Sequence, residues 1–410
     1  MQPIFVVGII IFTGFLFGEA CARLKLPKVT GYILAGTFLN PNLINIIPRD
    51  FVVHTSLLTN VALSFITFSV GGTLQYSRIR TLGKGILFIT VFEAEFAFLS
   101  IILIFTFLAP RMLHMPGATM ASIYIPLAFL LASLASPTDP SATLAVEHEY
   151  KAKGDVTSTI MGVAAFDDFL GIVNYTIAVA VGGVLIHSQS FSLSSILKTF
   201  LIILSSASLG CVFGLILNRL ARIIKNEDQG TLIVLVFGLL SLCYGLATIL
   251  NIDPLLATMT MGIIVVNFCP SRDTLFKVLE EYTEQLIFVV FFTISAMHLN
   301  FSVLVSNYPL IIIFVIFRAL GKFGGTMVGG ALAKSSAKVR RYTAGGLIPQ
   351  GGIVIGLALI IRQNSVFSSI SDIIISIIIG ATIIHEIIGP VISKFALEKA
   401  GEISLEQDVK

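Results

Sequence analysis

Two adjacent carboxylates, Asp167 and Asp168, stand near the middle of the otherwise uncharged run MGVAAFDDFLGIVNY. A second run, VIFRALGKFGGTMVGG, carries Arg318 and Lys322 four residues apart, on one face of a helix. A third, LASLASPTDPSATLAVEHEY, holds Thr138 and Asp139 between Pro137 and Pro140. Acids and a lysine sharing an apolar setting can trade protons or hold a cation between them. Neighbouring residues on a helix diverge by about 100°, so one aspartate can face a partner helix while the other faces a cavity. Burial disfavours the charged form of Lys322, and a nearby carboxylate favours it, so Lys322 can compete with a bound cation for Asp167. Arg318 stays charged and is expected to make a fixed ion pair. No nucleophile–base set, phosphate loop or metal cluster is visible, so neither an enzyme nor a cofactor is expected.

The elements that must position these groups follow from composition. The chain has 410 residues, 56% hydrophobic and 12% charged, with a mean hydropathy of +0.96. A soluble domain carries about 25% charged residues, so half that share excludes a water-soluble globule, a disordered chain and a nucleic-acid binder. The formal charge of +3 is too small to argue for an anionic partner. Cys21, Cys211, Cys243 and Cys269 sit singly in apolar stretches and read as buried thiols.

A membrane helix needs about 20 mostly apolar residues, and about thirteen such windows can be read here. Their limits are 3–20, 28–46, 52–75, 83–109, 118–148, 156–186, 192–219, 230–250, 254–270, 275–298, 307–333, 341–363 and 371–396. Of the 26 Lys and Arg, 20 fall in one set of alternate loops and the C-terminal tail, and 4 on the other side. The positive-inside rule then places the N-terminus outside and the C-terminus in the cytoplasm, in the cell inner membrane. MQPIFVVGIIIF lacks the basic start of a cleavable signal peptide, so the first span is read as retained.

Two spans are interrupted. Proline removes a helix hydrogen bond and clashes with the preceding turn, so Pro137 and Pro140 should unwind the fifth span, with a new helix starting at Pro140. Pro349, Gly351 and Gly352 should break the twelfth, seven spans later. An odd offset reverses direction. The expected fold is therefore an all-α membrane protein of two inverted six-helix repeats, with crossed discontinuous helices at the membrane centre. Unpaired backbone there must face a cavity or other protein, not lipid.

Other buried charges are less specific. Only one of Glu93 and Glu95, two apart on a helix, should face the interior. Glu386 reads as a partner for a helix end, and His385 beside it as a packed histidine. Glu280, Glu281 and Glu284 read as helix-start acids at the cytoplasmic face.

GYILAGTFLNP, the TDP break, AAFDDFLG, RALGKFGG and HEIIGPVISKFALEKAGE together resemble the monovalent cation/proton antiporter superfamily, in its aspartate-pair branch. The resemblance implies a moving core of residues 83–188 and 306–397, and a dimerisation domain of 1–76 and 230–298. It implies a linker helix over 192–224 and a short cytoplasmic tail over 398–410. It assigns Asp168 as the sodium and proton site, Asp167 as the partner of Lys322, and Thr138 and Asp139 as further ligands or balances for the helix ends. Two positions depart from relatives: Gly72-Thr73-Leu74 lacks an acid at the end of span three, and Ala164 stands where some relatives carry serine.

The mechanism expected on that basis is competition. A bare Asp168 in a dry site is costly, and a proton or a sodium ion neutralises it, so only loaded forms cross. If Lys322 also gives up a proton, exchange is electrogenic. The expected partners are a monovalent cation, a proton, the lipid bilayer and a second copy of the chain, in the service of pH homeostasis. A sodium-coupled symporter of an organic solute on the same architecture, and a passive cation channel, are the alternatives.

Overall fold

The computed structural model describes residues 2–24, 28–44, 46–113, 115, 117–139, 143, 152–186, 193–223, 229–299 and 301–403. Among these lie seventeen α-helices and no strand. The first run is α1 (Pro3–Arg23), α2 (Lys28–Phe38), α3 (Arg49–Val53), α4 (Ser56–Thr73) and α5 (Tyr76–Met112). A π-helical turn, Met120–Tyr124, then leads into α6 (Ile125–Ser133). Next come α7 (Asp155–Ile186), α8 (Leu193–Ala221), α9 (Gln229–Ile249), α10 (Pro254–Phe268), α11 (Arg272–Tyr282), α12 (Glu284–Met297) and α13 (Phe301–Ser306). The last run is α14 (Tyr308–Leu332), α15 (Ala337–Gly346), α16 (Gly352–Gln363) and α17 (Ser371–Ala400).

Eight of the described helices are long and apolar enough to cross a membrane, and four shorter apolar helices accompany them. Each expected window contains a helix, though several limits shift: the fourth opens at Tyr76, and the second and tenth change for a visible reason. The second ends at Phe38, not 46, because Asn40 turns away to donate its amide to the carbonyls of Met297 and Leu299 at 3.0 and 2.8 Å. That closes the C-terminal end of α12, whose last carbonyls have no partner within the helix. The tenth window splits at Thr283 into α11 and α12. Only Leu275, Val278 and Leu279 of α11 are buried, so it is an amphipathic helix leading into the span rather than part of it.

The ends carry readable signals. Asp253 caps α10, its carboxylate accepting from the amides of Leu255 and Leu256, with Pro254 at the first helical position. Gly401 closes α17 in the left-handed conformation, φ 75°.

Helices α1, α2, α4, α8, α9, α10 and α12 pack largely on one another, and so do α5, α6, α7, α14, α15, α16 and α17. The tightest crossing is α14 on α5. Gly321, Gly325 and Gly329 lie one turn apart, and a β-carbon on any of them would meet the α5 backbone near Ala97, Glu93 or Ile89. Such small-residue stripes let two backbones approach closely. Gly324 lies off the stripe, with only Phe96 in ordinary contact. The stripe brings Lys322 alongside Glu93.

Candidate functional site

The two interrupted helices meet where the prolines and glycines place them. α6 stops at Ser133 and α15 at Gly346, and the chain past each stop runs non-helical to Asp139 and to Gly351. The freed groups pair across the breaks. The amide of Asp139 donates to the Pro349 carbonyl at 3.1 Å, and the Gln350 side chain to the Leu134 carbonyl at 2.6 Å. Thr143 donates to the Gly346 carbonyl at 2.8 Å. Buried backbone groups left unpaired would each be costly, so these bonds allow the breaks to persist. The restart expected at Pro140 lies outside the described residues; Gly352 begins α16.

Arg318, fully buried, is the keystone of the crossing. Its Nε donates to the Ala135 carbonyl at 2.8 Å, Nη1 to Ile348 at 2.7 Å and Nη2 to Pro137 at 2.8 Å. The carbonyl ends of α6 and α15 each carry partial negative charge, and one planar guanidinium serves both. Among the described residues, three hydrogen bonds to backbone oxygens stand where a fixed ion pair was expected for Arg318. Asp139 takes the opposite role: a β-carbon on Gly351 would overlap its carboxylate, which lies against the positive N-terminal end of α16.

Lys322 is fully buried, with Glu93 and Asp167. Its ammonium donates to Glu93 Oε1 and Oε2 at 2.8 and 2.9 Å, to the Ser136 carbonyl at 2.7 Å and to Thr138 Oγ1 at 2.9 Å. Asp167 Oδ2 stands at 3.5 Å from the same nitrogen. Three ammonium protons are shared among these oxygens. The sequence leaves open which of Glu93 and Glu95 faces the interior. The structure turns Glu93 to Lys322 and Glu95 to Asn174, whose amide donates to it at 3.1 Å. The glycine stripe marks the close-packing face of α14, and only the packed structure shows which side of α5 it meets.

A cavity of about 1050 Å³ reaches the crossing, and Asp168, Asp139, Thr138 and Gly351 form part of its wall. Asp167, one residue before Asp168, points instead to the lysine cluster. Lys153, Arg272 and Lys277 also line the cavity, which therefore opens on the lysine- and arginine-rich side. Among the described residues no three His, Cys, Asp or Glu side chains converge as a metal cage.

Several minor expectations change. Glu280 and Glu281 occupy the last turn of α11, not a helix start; only Glu284 begins a helix. Glu386 does not pair with a helix end. It is fully buried, and neither of its carboxylate oxygens has a hydrogen-bond partner among the described residues. His385 is packed, its Nδ1 at 2.9 Å from Gln350 Oε1.

Two broken helices crossed at buried charges, in a bundle of membrane-length helices, define a multi-pass transporter of the sodium/proton antiporter fold rather than an enzyme. The chain belongs to the sodium/hydrogen exchanger family, whose transmembrane region matches residues 8–399. Its fold is shared with the sodium proton antiporter MjNhaP1 from Methanocaldococcus jannaschii. The structure of that protein at pH 8 is 20% identical in sequence, with a TM-score of 0.77 over 97% of this chain and 98% of that one. An electron-microscopy structure of the same antiporter gives 21% identity and a TM-score of 0.71 over 98% and 99% of the two chains. No curated protein sequence matches the chain.

Proposed function

We propose that this protein exchanges sodium for protons by alternating access, the two ions competing for Asp168. One observation carries the reading: Asp168 lies on the cavity wall beside Asp139 and Thr138, while Asp167 is turned away to Lys322. Hard cations prefer oxygen ligands, and these three side chains offer them, with water completing the set. Lithium and potassium are the competing cations to test.

The finer stoichiometry follows from counting charges. Lys322, Glu93 and Asp167 are one cation and two carboxylates, all fully buried. One ammonium neutralises one carboxylate, and a second bare charge in the membrane interior is costly. The trio therefore holds a proton in the proton-loaded site and releases it together with that of Asp168 when sodium binds, which leaves the sodium-loaded site one charge more negative. Two protons then leave for one sodium, and turnover is electrogenic. The second proton is assigned to Asp167, the carboxylate of the trio that stands 3.5 Å from the ammonium without a hydrogen bond to it.

In this reading the core (83–188 and 306–397) slides against a dimerising panel (1–76 and 230–298), with the 192–224 helix between them. The cavity side is cytoplasmic and the N-terminus lies outside, in the inner membrane of a cell whose internal pH the exchanger regulates. The test is dissipation of an imposed pH gradient in proteoliposomes, with sodium, lithium and potassium in turn and the voltage clamped by valinomycin or left free. Cation-dependent flux that changes with the clamp supports the proposal. Flux indifferent to the pH gradient contradicts it.

A further inference from the structure

The C-terminal segment returns to the helix that carries the aspartate pair. Gly401, in the left-handed conformation, turns the chain out of α17, the amide of Glu402 closing back on the Leu397 carbonyl at 3.0 Å. This Schellman-type turn aims the Glu402 side chain at the start of α7. There Oε1 accepts from the amide of Val156 at 2.8 Å, and Oε2 accepts from the amide of Thr157 at 2.8 Å and from its hydroxyl at 2.7 Å. The Glu402 carbonyl also accepts from the amide of Lys153 at 3.2 Å. Gly154 is bare because a β-carbon there would overlap the carboxylate. Ile403, packed with Val156, Ile160 and Leu397, holds the segment in place.

We propose that Glu402 is a positioning residue for the ion site, fixing the first turn of α7 and cancelling its positive end at the cavity mouth. The first amides of a helix have no partner inside it, and together they carry about half a positive charge. Gly154, Thr157 and Ser158 line the same cavity as Asp168, so this end of α7 faces the path of an entering cation. The carboxylate of Glu402 occupies those amides and removes the repulsion. It also ties the start of α7 to the end of α17. Asp168 lies twelve residues beyond Val156, about 18 Å along a rigid helix, so fraying or rotation at the first turn is carried to it. The inference rests on the reading of Asp168 as the ion site.

The experiment is sodium-dependent proton flux in proteoliposomes of the full chain, across a sodium series. Glu402→Ala and Gly154→Ala remove the contact from its two sides. Both are expected to raise the half-saturating sodium concentration about five- to tenfold, leaving the maximal rate within about twofold. Glu402→Gln keeps the shape without the charge and is expected to fall between them and the native chain; Glu402→Asp restores most of the affinity. An unchanged half-saturating concentration in folded Glu402→Ala overturns the proposal. So does a fall in rate that only tracks lost thermal stability. If Asp168→Asn abolishes flux while Glu402→Ala leaves sodium affinity untouched, this inference fails alone. If Asp168→Asn still transports, the reading beneath it fails.

Discussion

The backbone amide of Asp139 and the backbone carbonyl of Pro349 are joined at 3.1 Å, so the two broken helices are stitched to one another at their interruptions. Neither break is self-sufficient. Each supplies the partners the other lacks, and Arg318 spans both. A crossing tied at both breaks holds the side chains beside it in fixed register.

Gly351 is where the stitching leaves no room. Gly351→Ala pushes a methyl group into the Asp139 carboxylate. Displacement of a site group by about 1 Å can cost on the order of a hundredfold in rate, and a loss of that size in sodium-dependent proton flux is expected. Gly183→Ala, on α7 with nothing near its β-carbon, is the control and should transport normally.

Arg318→Lys keeps the charge but not the fork. A lysine cannot serve the Ala135, Pro137 and Ile348 carbonyls together. Leaving two buried carbonyls without a charged donor should destabilise the protein by on the order of 3 kcal/mol, read as a lower midpoint in a thermal melt in detergent.

Glu93→Gln tests the charge count. With Glu93 neutral, the ammonium of Lys322 is left to Asp167, now 3.5 Å away, and Asp167 no longer needs a proton. The expected outcome is exchange of one proton per sodium and loss of voltage dependence, measured as the reversal of flux against imposed sodium and pH gradients. Lys322→Met strands two buried carboxylates and should cost about 3–5 kcal/mol of stability.

Much of this was readable because charge in an apolar run is conspicuous. Asp167, Asp168, Arg318 and Lys322 stand out for that reason, and Pro137 and Pro349 mark breaks by local sterics alone. What could not be read were the choices made by packing. Glu93 and Glu95 differ only in which side of α5 the α14 glycines press against. The partners of Arg318 are backbone oxygens, which no side-chain pattern reports. Glu402 sits in a polar tail, and its target is fixed by the turn at Gly401. The join at Thr283 is hidden in the sequence because Lys277, Glu280 and Glu281 fall within an otherwise apolar stretch.

Glu386 has no hydrogen-bond partner for either oxygen among the described residues. The amide isostere keeps the size and shape of that buried side chain. Glu386→Gln is expected to keep sodium-dependent flux within about twofold of the native rate and to leave the melting midpoint unchanged or raised. Loss of flux with normal folding would give Glu386 a role in the ion path.

The central claim is that one carboxylate, on the cavity wall, takes either ion. Sodium-dependent proton flux by Asp168→Asn in proteoliposomes tests it most directly, with protein amount and melting behaviour matched to the native chain. The account predicts no flux above empty vesicles at any sodium concentration, with the fold intact. Retained exchange at a comparable rate would contradict it.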